Sequence, residues 1–402
     1  MSLTRTRDHV RDTRVRPVDV GRHPSTPFGE ARRTPGRHGY VAYFPAPVPR
    51  ALELPTPTLR LLGEAEASLG RLAGTGEAMS SPRLLIRPYL LREALSSTRI
   101  EGTRASMNEI FEVDAAGDVP NADVEEVTNY VAALECGVEQ LERLPLSTRL
   151  LREMHRRLMA GVRGRGRAPG ELRTSQNWIG APSSTVETAQ FVPPPPQELP
   201  ALLTDWERFA NEEAEMPLLV QDALLHAQFE TIHPILDGNG RLGRLLLVLF
   251  LIARGRLRAP LLYLSAHLER ERQRYYEALT TIRETGDATP WVELFLTAVR
   301  SQADDAVTRA RRIIETRERY LRAAAAMGTS NGLAVVDLIC ENPLATTRLV
   351  EERLGVSRPT ALRLLRQLEE RGVLREGDAG LRGQRRYVAQ ELMAAVSDEG
   401  EP

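Results

Sequence analysis

Residues 231–244 read TIHPILDGNGRLGR and gather one histidine, one aspartate, a Gly-Asn-Gly turn and two arginines ahead of an apolar run at 245–253. Gly238, Asn239 and Gly240 let the backbone approach an anion, and the residues after them open a helix whose free N–H groups point at it. This is a phosphate cradle, though not the G-x-x-x-x-G-K-[ST] pattern of a P-loop. Asp237, just before the turn, suits Mg2+, which takes a carboxylate together with phosphate oxygens. Arg241 and Arg244 lie on one helix face and can clamp further phosphates through planar donor forks. His233, at the end of the preceding helix, is the base of the cluster that is neutral near pH 7. The set fits nucleotidyl transfer: a base takes a hydroxyl proton while Mg2+, amides and arginines hold charge on the phosphates. A lone histidine or a lone G-x-G would read as an ordinary helix end and turn; the full set at this spacing does not.

The rest of the chain must position that cluster. Its 402 residues suffice for two or three domains, and 53 basic against 54 acidic residues leave no global field toward nucleic acid or membrane. Every basic side chain other than histidine is arginine. The two cysteines, Cys136 and Cys340, stand far apart without metal-ligand spacing, so a reducing compartment and a cytoplasmic protein are expected. No apolar run reaches the ~18–20 residues of a membrane span. Residues 1–50 carry many arginines and little apolar periodicity, which predicts a disordered basic tail. Helical spacing begins near Pro57 and continues through 83–94 into 95–102, where Gly102 is placed to end the helix, and through 124–140, 147–159, 197–212 and 217–232. Between them, 161–180 is rich in turns, and 183–192 reads as one side of a small hairpin stopped by four prolines at 193–196. The expected divisions are 1–50 as tail, 51–115 as an N-terminal helical segment, 116–300 as the core, 301–332 as connector helix and linker, and 333–395 as a separate domain.

That last segment has its own order of helix, turn, helix and basic wing, a winged helix-turn-helix. Leu364, Leu365 and Leu368 fall on the inner side of the second helix, which Ser357 caps. Arg358, Thr360, Arg363 and Gln367 fall on the outer side, and Arg385 and Arg386 lie in the wing. DNA binding is one expectation for this surface; dimerisation or protein docking is the other, since Glu351, Glu352, Glu369 and Glu370 offset many of the arginines.

Residues 233–244 resemble the signature of the Fic family, H-P-F-x-[DE]-G-N-G-R-x-x-R, with every polar position matched and Ile235 in place of phenylalanine. The family moves AMP from ATP to a target hydroxyl, and the resemblance spans about residues 55–300. It implies a mainly α fold: a Fic-type helical core with a small β-hairpin flap, here followed by the winged helix-turn-helix. It implies His233 as general base, Asp237 as Mg2+ ligand, and Gly238, Asn239 and Gly240 as anion hole. Arg241 and Arg244 would meet the outer phosphates, with Gly243, Tyr275 and Tyr276 completing the ATP site. Residues 97–102 match the family's inhibitory pattern [ST]-x-x-x-E-[GN] through Ser97, Glu101 and Gly102. Glu101 would then pair with Arg244 where the ATP γ-phosphate must sit, and the isolated enzyme would be largely self-inhibited. The implied partner is a protein whose Ser, Thr or Tyr hydroxyl docks on the flap near 183–192, with self-modification as a further outcome and a homodimer as the expected state. The rival expectation is a nucleotide-sensing DNA-binding regulator with a Fic-like core that does no catalysis.

Overall fold

Apolar residues at helical spacing, with turn-rich stretches between them, make this chain mostly helical. The computed structural model describes residues 17–36, 39–77, 83–116, 121–161, 166, 168–181, 183–377 and 385–396. A hairpin of β1 (Gly29–Arg33) and β2 (Val41–Pro45) comes first, then α1 (Thr56–Glu77), α2 (Arg83–Ile100), α3 (Met107–Ala116), α4 (Ala122–Leu141) and α5 (Thr148–Leu158). A turn-rich segment leads through a 3-10 turn at Pro196–Glu198 into α6 (Leu199–Asn211), α7 (Leu218–Ile232), α8 (Asn239–Ala253), α9 (Ser265–Arg270), α10 (Arg272–Thr285) and α11 (Thr289–Ala325). The C-terminal part comprises α12 (Ser330–Glu341), β3 (Leu344–Thr346), α13 (Thr347–Leu354), α14 (Arg358–Glu370), β4 (Arg375–Glu376), β5 (Arg386–Val388) and α15 (Gln390–Val396).

Helix α7 is buried from Leu219 to Ile232, polar residues included, so it is the axis of the core. Helix α8 packs along it. Two tryptophans fasten neighbours to it without leaving a buried N–H unpaired: Trp206 of α6 donates to the carbonyl of Leu225 (3.0 Å) and Trp291 of α11 to that of Ala223 (2.7 Å). None of the described helices is long and apolar enough to cross a membrane.

The N-terminal stretch differs from the expected disordered tail. Residues 1–16 lie outside the described residues, but 17–36 and 39–50 are described and contain the antiparallel β1–β2 pair. An isolated hairpin is marginal in water. This one finds support on the flap segment: Tyr43 N–H donates to Val192 O (2.9 Å), Val18 N–H to Ala189 O (3.1 Å), and Val18, Ala31, Ala42, Ala189 and Val192 form a small apolar cluster. Residues 183–192 do not form the expected hairpin strand. A single antiparallel bridge joins Ile179 to Phe191, and Thr185 bonds to Glu187 while the Thr188 hydroxyl accepts from Thr185 N–H, holding the tip in turns.

The expected boundary between core and connector at 300 falls inside α11, which is unbroken to Ala325. The break near 328–332 is there, with Gly328 at φ 65° and Thr329 capping α12. The segment beyond is a winged helix-turn-helix with sheet order β3-β5-β4 and Leu364, Leu365 and Leu368 of α14 buried. Ser357 sits at the N-cap of α14, but its hydroxyl pairs with that of Thr360 (3.0 Å) instead of capping the backbone. This segment docks on the end of α3. Asn342 donates to Phe111 O (3.2 Å) and Asp114 Oδ2 (2.9 Å), Thr346 to Ala115 O (2.8 Å) and Arg348 to Ala116 O, satisfying helix-end carbonyls that would otherwise need water.

Candidate active site

The site is built where α7 ends and α8 begins. His233 is the C-cap of α7 in the left-handed conformation, φ 48° and ψ 59°, which costs a side chain with a Cβ roughly 1–2 kcal/mol. Its Nδ1 lies 3.3 Å from Glu230 O, so the ring donates there and leaves Nε2 with its lone pair. Burial lowers the His233 pKa to about 4, assisted by the charges of Arg173 and Arg283, so the ring is neutral near pH 7. Next to it, burial raises Glu230 to about 7.

The loop from Pro234 to Gly238 is clamped from three directions. Asn239 accepts from Ile235 N–H (3.0 Å) and donates to Ile235 O (2.7 Å), so its side chain shapes the loop. Ile235 is buried, as its replacement of phenylalanine requires. Asn177 donates to the same carbonyl at 2.9 Å. His155 of α5 accepts from Gly170 N–H (2.9 Å) on Nδ1 and donates from Nε2 to Asp237 O (3.0 Å), which settles its tautomer. Gly238 caps α8 at φ 87°, where glycine is at ease, and no side chain caps the first turn. The N-terminal amides of α8 are therefore available to an anion.

The charged residues divide into an inner and an outer group. Arg241 is buried between Asp237 (3.5 Å) and Glu126 (3.6 Å). Asp237 stands at the mouth with its side chain 42% exposed. Arg244 lies deeper and is held by α2: Nε donates to Ser97 Oγ (2.8 Å), Nη2 to Ser97 O (2.9 Å) and to Glu101 Oε1 (2.8 Å). Burial would raise the Glu101 carboxyl, but the Arg244 guanidinium outweighs it and holds the group below its ordinary value. Gly102, at φ 101°, ends the helical turn that carries Glu101. A Cβ on Gly240 would stand 2.5 Å from Glu101 Oε1 and 3.0 Å from Arg244 Nη1, so the carboxylate lies directly over the first turn of α8.

Helix α2 is anchored by a residue that sequence reasoning missed. Glu93, fully buried, accepts from Tyr130 (2.9 Å), from Ser265 N–H (3.0 Å) and from the Ser265 hydroxyl, tying α2 to α4 and α9. Arg173 was also missed, although its Pro-Gly-Glu-Leu-Arg surroundings are turn-rich. It is 2% exposed, and its guanidinium donates to His233 O (2.9 Å), Pro194 O (2.6 Å) and Ile232 O (3.3 Å).

Of three further residues expected at the nucleotide, Gly243 and Tyr275 face the core and Tyr276 does not. Gly243 faces α7: its carbonyl accepts from His226 Nδ1 (3.0 Å), and a Cβ there would meet Glu230 Oε1 at 2.4 Å. Tyr275 is buried against Trp291 and donates its hydroxyl to His226 Nε2 (2.8 Å). Tyr276 is 44% exposed beneath the guanidinium of Arg272 and remains open to a ligand. In the C-terminal part Arg358, Arg363 and Arg385 are exposed, Thr360 is half-buried, and Arg386 is turned inward into an ion pair with Glu112 of α3. Arg386 is thus removed from the expected DNA-facing set, because a carboxylate of the core claims it.

Fold and site together define a helical protein with an uncapped, glycine-led helix start beside a neutral, half-buried histidine, joined to a winged helix-turn-helix. Family models match residues 59–139 as the Fic/DOC family N-terminal region, 145–251 as the Fic/DOC family and 328–378 as the IclR helix-turn-helix domain. The chain thus carries a Fic/DOC-type N-terminal region and a Fic/DOC domain ahead of its helix-turn-helix. It is similar to the protein adenylyltransferase Fic of Drosophila willistoni, at 28% identity over 246 residues covering 58% of this chain and 45% of that one. A probable protein adenylyltransferase of Aquifex aeolicus (strain VF5) is 34% identical over 96 residues, 24% of this chain and 28% of that one. The chain thus spans about half the length, or less, of these curated relatives. The crystal structure of a Fic family protein from Desulfovibrio desulfuricans G20 shares the fold, with a TM-score of 0.55 at 22% identity over 87% of this chain and 99% of that one.

Proposed function

We propose that the protein is a protein adenylyltransferase, moving AMP from ATP to a Ser, Thr or Tyr hydroxyl of a protein, itself included, and that Glu101 restrains it. The observation that carries this reading is the neutral His233 at one end of a short loop whose other end is the uncapped start of α8. His233 Nε2 takes the proton of the acceptor hydroxyl. That oxygen attacks the α-phosphorus of ATP, a new P–O bond forms, and the bond to the α–β bridging oxygen breaks as pyrophosphate leaves. The α8 amides and Arg241 receive the negative charge of the phosphates.

Among the described residues no group of three or more His, Cys, Asp or Glu could hold a metal. Mg2+ does not need one, since one or two carboxylates with substrate phosphates and water suffice. Asp237 at the mouth of the loop fits that role, and bound Mg2+ would neutralise charge on the phosphates. Arg244 is the natural partner of the terminal phosphate, and one guanidinium cannot serve that phosphate and Glu101 together. Restraint follows from that competition.

Mass spectrometry after incubation of the Glu101→Gly chain with ATP and Mg2+ tests the reading. One added AMP on the chain or on an added cell extract protein is expected, lost with His233→Ala. ATP binding without any AMP transfer would overturn it. The exposed arginines of α14 and the IclR-type match support a second reading, a DNA-binding regulator that senses nucleotide without catalysis. Duplex binding that changes with ATP in a chain inert to AMP transfer would favour it.

A further inference from the structure

We propose that Arg173 is the positioning residue of this site: it fixes the backbone on both sides of His233 and fastens it to the flap segment, so that base and flap form one unit. The inference rests on the reading of His233 as the base for AMP transfer.

Three hydrogen bonds from one residue bracket position 233, and a fourth reaches the flap segment. The guanidinium donates to Ile232 O (3.3 Å), His233 O (2.9 Å) and Pro194 O (2.6 Å), and the Arg173 N–H donates to Pro234 O (3.0 Å). Every acceptor is a main-chain carbonyl. Among the described residues no carboxylate pairs with Arg173, and burial lowers its pKa to about 10. A buried guanidinium without a counter-ion is a poor way to gain stability. The partial negative charge at the end of α7, where Ile232 and His233 present their carbonyls, is what compensates it.

Backbone strain falls in the same place. Among the described residues the non-glycine positions with positive φ are Ala168 (46°) and His233 (48°). They lie in the two segments that Arg173 joins, and Ala168 turns the chain into Arg173 through the bond of Glu171 N–H to Ala168 O (3.0 Å). Strain of this kind persists only where the surroundings enforce it. Without the bonds to carbonyls 232 and 233, residue 233 would relax toward an ordinary helix end and carry its imidazole away from the α8 start. The bond to Pro194 adds the flap, whose Phe191 ring lies 4.0 Å from the guanidinium of Arg283 on α10. The groups that bear electrostatically on the imidazole are Glu230 of α7, Arg173 from the loop, Arg283 of α10 and Glu101 of α2.

The test compares Arg173→Gln and Arg173→Lys in the full chain carrying Glu101→Gly. Gln should lower kcat for AMP transfer about 100-fold with little change in the ATP KM, since a misplacement of about 1 Å costs that much. Lys keeps the charge but not the fork and should lose about 10-fold. Independently of AMP transfer, the pH dependence of diethylpyrocarbonate modification of His233, read by peptide mass spectrometry, should move upward in Gln and stay in place in Lys. A Gln variant that melts earlier yet keeps both kcat and the modification midpoint overturns the proposal and leaves Arg173 a structural residue. If Gln does not fold, the Lys variant decides, and parental kcat there overturns it. A parent that transfers no AMP removes the functional reading alone, because the His233 modification profile still reports on Arg173.

Discussion

Glu101 and Arg244, 143 positions apart in the chain, meet at 2.8 Å across the start of α8. The pair is asymmetric: the Arg244 side chain is 1% exposed and that of Glu101 is 37% exposed. Arg244 is fixed by Ser97, whereas the carboxylate sits at the solvent edge and can leave. A contact buried on one side and open on the other is suited to exchange with a phosphate.

Replacing Glu101 with glycine should therefore raise AMP incorporation from labelled ATP by about 10- to 100-fold, the equivalent of one charge-assisted hydrogen bond of ~1.5–3 kcal/mol. Equal rates in the two proteins would remove Glu101 as a restraint.

Stability should show two opposed pH windows. His226 and His233 are lowered to about 3 and about 4, chiefly by burial. The unfolded chain binds protons that the fold refuses, so their contribution is whole above about pH 6.5 and is lost as pH falls toward the folded values. Glu230 is raised to about 7 by burial. Its contribution is whole below about pH 4.5 and is lost as pH rises through about 7. Glu230→Gln removes only the second window, so thermal or urea denaturation should show the variant gaining about 2–3 kcal/mol on the wild type between about pH 5 and pH 8. Parallel curves would show that Glu230 does not titrate there.

Gly243→Ala should destabilise by about 1–3 kcal/mol through overpacking, because the new methyl would stand 2.4 Å from Glu230 Oε1 and 3.2 Å from Phe229 Cδ1. Calorimetric ATP titration should give unchanged affinity. Lost affinity in a chain of normal stability would restore Gly243 to the nucleotide site.

If the C-terminal surface meets DNA, Arg358→Ala and Arg363→Ala should each weaken duplex binding and reduce its salt slope by about 1. Arg386→Ala should leave both unchanged, since Glu112 already holds that side chain. Fluorescence anisotropy across a salt series distinguishes them, and equal effects from all three would contradict the inward placement of Arg386.

What could be read without a structure is what depends on local spacing. The 233–244 cluster is one helix end, one turn and one helix start, and the left-handed Gly238 and the uncapped first turn of α8 are where that spacing puts them. Ser97, Glu101 and Gly102 likewise span the last turn of α2 and the turn that ends it, and the order of helices and wing after residue 328 follows from apolar periodicity and its breaks. Tertiary structure decided everything that requires a distant partner. Arg173 owes its role to carbonyls 60 positions away and His155 to one 82 positions away, and neither has a local pattern announcing it. Gly243 and Tyr275 count as site residues by the family resemblance, yet the close approach of α7 turns both inward. The β1–β2 pair is a short hairpin that finds its support on residues 189 and 192 of the flap. Spacing encodes which groups share a turn of backbone; which surface a buried charge or a weak strand finds is set by packing across the whole chain.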